Sequence, residues 1–413
     1  MTNEIYLYPP GLVCCAGGTR GSFFQAALDG YKEGLTIDTD CAGLKNGKKY
    51  PVGLVHTENL PTLHGIYDTR LLRITDAALE QIKDDVEYAK SKYGADRIAC
   101  CIGTCNNGTE WSEPAHEEYF KKGHFPKSYD LSMQNPGTFG CWAAKKFGIT
   151  GQVLTITNAC ASSAAAIVKA AQLIKAGFAD AVIAGGADIA ANTIIAGFDS
   201  LKALSPEQCN PFSRNRKGIN LGEAAAFFLL CKDPPQNSPP IKLLGYGESS
   251  DGYHITAPRP DGSGSAQAMR TALKNASLMP EHIAYINLHG TGTEQNDAME
   301  ARAVAEVFGS GTDGTDRTNG KRLPLVSSTK PVTGHTLGAA GSIELALCWC
   351  SLYNQKNGET AVPMHCWDAL FDETLPSLSF APPAATVKKP IVMMSNSFAF
   401  GGCNVSLIVG AEF

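Results

Sequence analysis

The chain has 413 residues, 44% of them hydrophobic and 18% charged, with a formal net charge of -5. That length supports a large core, in roughly two to three domains or one duplicated unit. The slight acidic excess excludes nucleic acid as the main partner, because phosphate binding needs a basic surplus. No stretch approaches the roughly 18 apolar residues of a membrane span. The opening MTNEIYLYPPGLVCCAGG also lacks the charged-then-apolar build of a secretory leader. A cytoplasmic enzyme is expected, with its 14 cysteines reduced and mostly buried. Cys101 and Cys105, or Cys348 and Cys350, would open a zinc site, but neither pair has the further ligands that complete four.

In chain order, SFFQAALDGYKEG and DAALEQIKDDVEYAKSKYG read as helices, and ADRIACCIG and GQVLTIT as strands. The second of these strands runs into NACASSAAAIVKAAQLIKAG, where Cys160 occupies a strand-to-helix turn and a small-residue helix follows to Gly177. A cysteine there lies near unpaired backbone N–H groups, which with the helix dipole favour the thiolate and lower its pKa. The same donors suit the oxyanion of a thioester under attack. Read alone, the segment fits an inert core cysteine equally well.

DAVIAGGADI and AFFLLC read as further strands. CKDPPQNSPP, residues 231–240, then marks a surface connection that divides the chain into halves 1–240 and 241–413. Each half offers a strand, a small-residue turn and a helix rich in small residues. SAQAMRTALKNA reads as a helix. AYINLHG is a strand leading to a Gly-rich turn with His289, Thr291 and Thr293, and Asp297 to Glu300 forms a D-x-x-E capping box for the helix DAMEARAVAEVF. A lone strand-end His is more often structural than catalytic. The threonines suit an amide-rich ligand or simply the turn.

The polar stretch GSGTDGTDRTNGKR, residues 309–322, reads as a flexible loop. After the strand LPLVSS, Lys330, His335 and Glu344 gather around a turn that continues into the helix GSIELALCWCSLYN. The small residues there let a backbone or a thin ligand come close. A buried Lys–Glu pair that only holds the turn is the alternative for Lys330 and Glu344. IVMMSNS and NVSLIVG are the last strands, with Phe398 and Phe400 before a Gly-Gly turn between them. The two rings are either plain core or a movable door.

Taken together, NACASS, HGTGT, KPVTGH and FAFGG resemble the β-ketoacyl-ACP synthase I/II family of condensing enzymes, in the family order and over nearly the whole chain. The resemblance implies a thiolase-like α/β fold, a duplicated five-layered αβαβα sandwich. It implies a decarboxylative condensation of a Cys160-bound acyl group with malonyl-ACP, giving 3-oxoacyl-ACP. Cys160 would be the nucleophile, with His289 and His335 polarising the malonyl thioester and Lys330 ordering the site. Phe400 would be the gate, its N–H and that of Cys160 forming an oxyanion hole. Thr291, Thr293, Phe398 and Glu344 would bind substrate. No redox or metal cofactor is implied beyond a structural monovalent cation near Asn287, Glu344, Ser395 and Asn396.

The implied partners are an acyl carrier protein bearing phosphopantetheine-linked acyl and malonyl groups, and a second subunit, either a copy of this chain or a related ketosynthase-like chain. Arg70 and Arg73 fall near a basic patch that meets the carrier in relatives; Lys121, Lys122 and Lys127 are weaker candidates and fit a solvated charged face better. The opening GLVCCAGGTRGSF, Asn158, Ala399 and Cys403 depart from the common pattern. With HGTGTEQNDAMEAR they lean toward synthases of aryl-polyene-type clusters. The rival readings are a thiolase-type acyltransferase, which would use a second, C-terminal cysteine as base; a starter synthase, which would carry Asn in place of His335; and a non-catalytic chain-length-factor-like subunit, which would lack Cys160.

Overall fold

The computed structural model describes residues 4–37, 47–106, 108–309 and 323–411. Of the loop expected at 309–322, all but Gly309 lies outside them. The first half supplies β1 (Tyr6–Leu7), β2 (Gly11–Cys14), α1 (Arg20–Asp29), α2 (Arg70–Glu80), α3 (Lys83–Tyr93) and β3 (Ile98–Gly103). It continues with α4 (Thr109–Lys122), α5 (Gly137–Phe147), β4 (Val153–Ile156), α6 (Ser162–Lys175), β5 (Ala181–Asp188), α7 (Asn192–Ser200) and β6 (Ala224–Cys231). The second half supplies β7 (Lys242–Ser250), α8 (Ser263–Ala276), β8 (Ile283–Asn287), α9 (Glu294–Phe308) and β9 (Leu325–Ser327). It ends with α10 (Lys330–Thr333), α11 (Ala340–Tyr353), β10 (Val392–Phe398) and β11 (Cys403–Gly410).

The strand order demonstrates the duplication that sequence alone only hinted at. In the first half the strands lie side by side as β4-β3-β5-β6-β2, and in the second as β9-β8-β10-β11-β7. Numbered from the start of each half, both read third, second, fourth, fifth, first. The directions repeat as well. β3 is parallel to β4 and β5, and β6 is antiparallel to β5 and β2. Likewise β8 is parallel to β9 and β10, and β11 is antiparallel to β10 and β7. The short β1 bridges the halves by pairing with both β6 and β7. The Pro-rich segment joins these two strands.

Three apolar clusters define five layers. One fills the space between the two half-sheets and is built on α6 and α11; a second packs α2, α3 and α5 on the outer face of the first half-sheet; a third packs α8 and α9 on the outer face of the second. Adjacent Cys100 and Cys101 show the alternation of β3, one in the outer cluster and one in the inner. Small residues set the spacing of the middle layer. A Cβ on Gly341 of α11 would meet the Cβ of Ala164 in α6 at 2.7 Å, so the helices touch almost backbone to backbone. Among the described residues no helix is long and apolar enough to cross a membrane.

Two expectations needed revision. The single helix expected over 76–94 starts at Arg70 and breaks after Glu80. Gln81 turns its amide to β2 there, donating to Leu12 O at 2.8 Å and accepting from Leu12 N–H at 3.3 Å. The expected capping box at Asp297 to Glu300 does not form. α9 begins three residues earlier, Thr293 is its N-cap, and both carboxylates are buried inside the helix.

Trp349 is fully buried in the middle layer, donates from Nε1 to Leu7 O at 3.0 Å and stacks on Tyr353 at 5.0 Å. Trp349→Ala is expected to cost about 3–5 kcal/mol. A lower midpoint in urea denaturation at unchanged slope is the measurement that checks it.

Candidate active site

Cys160 sits in the turn between β4 and α6. Ala159 takes a left-handed φ of 43°, a costly conformation for a residue with a Cβ. Ser162 Oγ pins the turn, accepting from Asn158 N–H at 2.8 Å and donating to Ala159 O at 2.6 Å. His335 lies in the matching turn of the second half, after β9 and α10 and before α11. Its backbone is clamped, N–H donating to Asn220 O at 2.7 Å and C=O accepting from Gly222 N–H at 3.0 Å. His289 follows β8, the strand beside β9. Duplication therefore brings together turns that lie far apart in sequence.

The distances are those of a reacting group. His335 Nε2 lies 3.0 Å from Cys160 Sγ, and the His289 and His335 rings meet edge to face at 5.3 Å between centroids. The backbone N–H of Phe400 is directed at the sulfur. Phe398 stands edge-on to His289 at 6.4 Å, and Phe400 leans on Phe198 at 5.7 Å. All of these groups, with Thr291 and Thr293, line one cavity of about 530 Å³. Thr291 and Thr293 are hydrogen-bonded to each other at 3.0 Å. Phe198, on α7, went unnoticed in the sequence because its helix did.

Lys330 and Glu344 do not line the cavity, so Lys330 orders the site from behind its wall and Glu344 departs from the substrate contact expected of it. Both are buried behind His289. Lys330 Nζ donates to Glu344 Oε1 and to His289 O, each at 2.5 Å, and approaches His289 Nδ1 at 3.4 Å. Lys330 is thus a positioning residue, and Glu344 binds Lys330 rather than substrate. An ammonium facing Nδ1 can only donate, so the proton of His289 belongs on Nε2, toward the cavity. Glu300, read from sequence as part of a cap, instead accepts from His289 N–H and Gly290 N–H, both at 2.7 Å. Asp297 does the same for Gly292 N–H at 3.1 Å.

Burial governs the protonation states. It holds both His289 and His335 well below their usual pKa, with the Lys330 charge reinforcing the shift, so both imidazoles are neutral. Burial also pushes the Cys160 thiol up to about 12, against the pull of Lys330 and the Phe400 N–H. The lowered pKa expected from the helix terminus is therefore overturned in this pocket. Desolvation outweighs the Lys330 charge and the Phe400 N–H, and the resting pair is a thiol facing a neutral imidazole. Burial lifts Glu300 to about 8 as well.

Cys160, His289 and His335 place their ligand atoms within 4.8 Å of one another, the one His/Cys/Asp/Glu group of that kind among the described residues. The Lys330 ammonium beside His289 works against a cation there. The set expected around a monovalent cation is partly assembled. Asn287 and Ser395 are register partners on β8 and β10, and Asn287 Oδ1, Glu344 Oε2 and Ser395 Oγ are buried with no hydrogen-bond partner. Asn396 departs from the set, its side chain facing Met269 and Ser406 instead.

The basic residues expected to meet a carrier are largely committed elsewhere. Arg70 forks onto buried Glu223, with Nη2 to Oε2 at 2.5 Å, and Arg73 pairs with Asp68 at 2.6 Å. Lys121 and Lys122 pair along their own helix with Glu117 and Glu118. Lys202, exposed at the cavity mouth, was not singled out in the sequence.

A family model described as the N-terminal domain of β-ketoacyl synthase matches residues 69–235, and one described as its C-terminal domain matches residues 241–361. The chain is 34% identical to 3-oxoacyl-[acyl-carrier-protein] synthase 2 of Vibrio cholerae, over 80% of each chain. It is 30% identical to nodulation protein E of Rhizobium meliloti, over 98% of this chain and 99% of the other. A chain in the solved complex of a ketosynthase with its chain length factor, from Xenorhabdus doucetiae, superposes with a TM-score of 0.87 at 36% identity, covering 99% of this chain and 98% of that one.

A thiol whose pKa is raised to about 12 reacts through a vanishing thiolate fraction. Alkylation of Cys160 by iodoacetamide in the unacylated protein is expected to rise about tenfold per pH unit between pH 7 and 9. Peptide mass spectrometry checks this; a rate already level by pH 8 would show that Lys330 and the helix terminus prevail over burial.

Proposed function

With the chain a member of the β-ketoacyl synthase family, and so a condensing acyltransferase of the 3-oxoacyl-[acyl-carrier-protein] synthase kind, we propose that Cys160 carries the growing acyl group. The supporting observation is the 3.0 Å contact between Cys160 Sγ and His335 Nε2 inside a cavity that also holds His289. In the first half-reaction the sulfur attacks the acyl thioester and its proton passes to His335 Nε2. The oxyanion is held by the N–H groups of Cys160 and Phe400. The intermediate collapses, the carrier sulfur leaves and takes that proton, and His335 is neutral again.

In the second half-reaction malonyl-ACP occupies the same mouth, its pantetheine arm beside Thr291 and Thr293. The bond to the carboxylate breaks and carbon dioxide leaves. Electron density moves to the thioester oxygen, which His289 Nε2–H stabilises as an enolate, joined by His335 once its one ring proton has moved from Nδ1 to Nε2. Two neutral imidazoles suit this step, since a cation beside the malonyl carboxylate would hold back its departure. The enolate carbon then bonds to the acyl carbon, and the Cys160 C–S bond breaks. The sulfur departs as thiolate and takes up one proton from solvent, the proton that the decarboxylation consumes overall. The product is a 3-oxoacyl-ACP two carbons longer, with no net oxidation or reduction.

Several finer assignments belong to the same proposal. The partner is a carrier protein that approaches the mouth at Lys202. A second ketosynthase-like chain pairs along β4, which ends the sheet with one free edge and leaves Leu154 exposed. Xenorhabdus doucetiae supplies the precedent, a ketosynthase solved with its chain length factor. That likeness, together with the aryl-polyene leaning of HGTGTEQNDAMEAR, supports a specialised polyene-type pathway over bulk fatty acid synthesis. The enzyme acts in the cytoplasm. If a monovalent cation is resident, Asn287, Glu344 and Ser395 would hold it, and it would balance the second oxygen of Glu344 and so steady Lys330.

Mass spectrometry of the protein after exposure to acyl-ACPs tests the nucleophile. Cys160→Ala is expected to gain no acyl mass and to condense at less than about one-thousandth of the native rate. His335→Ala is expected to retain slow acylation and to lose condensation at least a hundredfold. Condensation at the native rate by either variant would overturn the assignment of that residue.

A further inference from the structure

The turn that carries His289 packs against two other segments, and Gly290 makes room for both. A Cβ on Gly290, whose φ is 37°, would meet Ser328 Cβ at 2.5 Å and Phe212 Cε2 at 3.0 Å. Ser328, just after β9, donates from Oγ to Gly290 O at 2.6 Å, and the same oxygen accepts from Lys330 N–H at 3.4 Å. Phe212 grips the turn through Asp297, whose Oδ2 accepts from Phe212 N–H at 2.8 Å and whose Oδ1 accepts from Gly292 N–H at 3.1 Å. Phe212 is fully buried with a left-handed φ of 61°. That conformation is costly for a bulky side chain and persists only where the surroundings over-determine it.

One buried imidazole joins these two segments. His365, between α11 and β10, accepts on Nδ1 from Ser328 N–H and donates from Nε2 to Pro211 O, the carbonyl before Phe212, both at 3.1 Å. A backbone N–H can only donate and a carbonyl can only accept, so the single ring proton is fixed on Nε2. Burial keeps the ring neutral, lowering its pKa to about 3. The ring stacks on Phe380 at 4.4 Å and lies 5.0 Å from Trp367. An apolar ring would fill that aromatic cage as well, so packing does not account for an imidazole there; its two hydrogen bonds do. His365 takes no part in lining the cavity.

We propose that His365 is a positioning residue for the condensation half of the reaction: its two ring nitrogens tie Ser328 to Pro211 and so hold the turn from His289 to Gly292 in its working place. The inference rests on Cys160 as the acyl carrier and His289 as the donor to the enolate, and adds the residue that keeps His289 set. Cys160 and His335 are fixed by other bonds, through Ser162 for the one and through Asn220 and Gly222 for the other. Acylation therefore stands apart from His365, and condensation depends on it.

Pantetheine thioesters let the two half-reactions be read separately. Acylation is the mass gained at Cys160 from a plain acyl-pantetheine, and condensation is the 3-oxoacyl-pantetheine formed in a single turnover when malonyl-pantetheine is added. His365→Phe fills the aromatic cage without either nitrogen. It is expected to acylate within about twofold of the wild type and to condense about ten to a hundred times more slowly. His365→Asn returns an acceptor the same number of bonds from Cα as Nδ1 and should recover most of the condensation rate. Ser328→Ala, too small a change to threaten folding, removes the bond to Gly290 O and should show the same split; if His365→Phe does not fold, Ser328→Ala decides alone. Native condensation by His365→Phe or Ser328→Ala, equal losses in both half-reactions, or no recovery in His365→Asn would overturn the proposal. His289→Ala, run alongside, keeps that failure apart from failure of the reading beneath it: if this variant also condenses at the native rate, His289 is not the donor and both fall together.

Discussion

One buried charge organises the catalytic centre. Lys330 is sealed from water, a position that costs an ammonium several kcal/mol unless its protons are all engaged. Glu344, the carbonyl of His289 and the ring of His289 engage them. Those contacts come from α11 and the turn after β8, so the charge, itself on α10, fastens three segments together. Removing either member of the Lys330–Glu344 pair would strand the other in a medium with little capacity to solvate it. The same charge also sets the protonation of its surroundings. It holds His289 in one tautomer and adds to the burial that keeps both rings neutral.

That electrostatic setting explains why the site is built from paired halves. A thiol and two neutral imidazoles need a dry pocket, and a dry pocket needs walls on every side. The two half-sheets supply the walls, and the close contact of α6 with α11 fixes the separation of the turns at their N-terminal ends. Cys160 and His335 are therefore related by the fold itself, each following the third strand of its half. Their 3.0 Å separation follows from how closely two small-residue helices pack. Glu300 and Asp297 complete the arrangement by taking up N–H groups of the His289 turn that water would otherwise satisfy.

Much of this was legible in the sequence, for reasons that are physical. β3, β5, β6 and β8 are nearly unbroken apolar runs because both their faces are covered, and α6 and α11 announce themselves by long stretches of small or apolar residues. The four polar turns stood out because titratable and aromatic groups interrupted glycine and alanine. β7 did not stand out. Its KLLGYGESS carries Gly245 and Gly247, which argue against a strand until the structure shows why they are there: a Cβ on Gly247 would come within 2.1 Å of the backbone of α8. α7 was missed with it, and so was Phe198. The D-x-x-E pattern misled because a capping box and a pair of buried turn-holding carboxylates have the same spacing, and only burial separates them. The pKa of Cys160 misled for a related reason, since a helix N-terminus is visible in sequence and the depth of the pocket around it is not.

Duplication also lets one plan serve unlike tasks. Equivalent turns of the two halves have taken on different chemistry. The turns after the third strands carry the thiol and the imidazole that meets it. The turns after the second strands have diverged more, one bringing His289 into the cavity and the other, Thr104–Asn106, tied by its N–H groups to Asp188. Asp188 on β5 couples that second-strand turn to the His335 segment through a single carboxylate. Cys105 N–H and Gly338 N–H share its Oδ2, so one buried anion joins a turn of the first half to the segment that carries His335. The first half therefore shapes the site twice, through the turn that holds Cys160 and through the anchor of the imidazole that meets it.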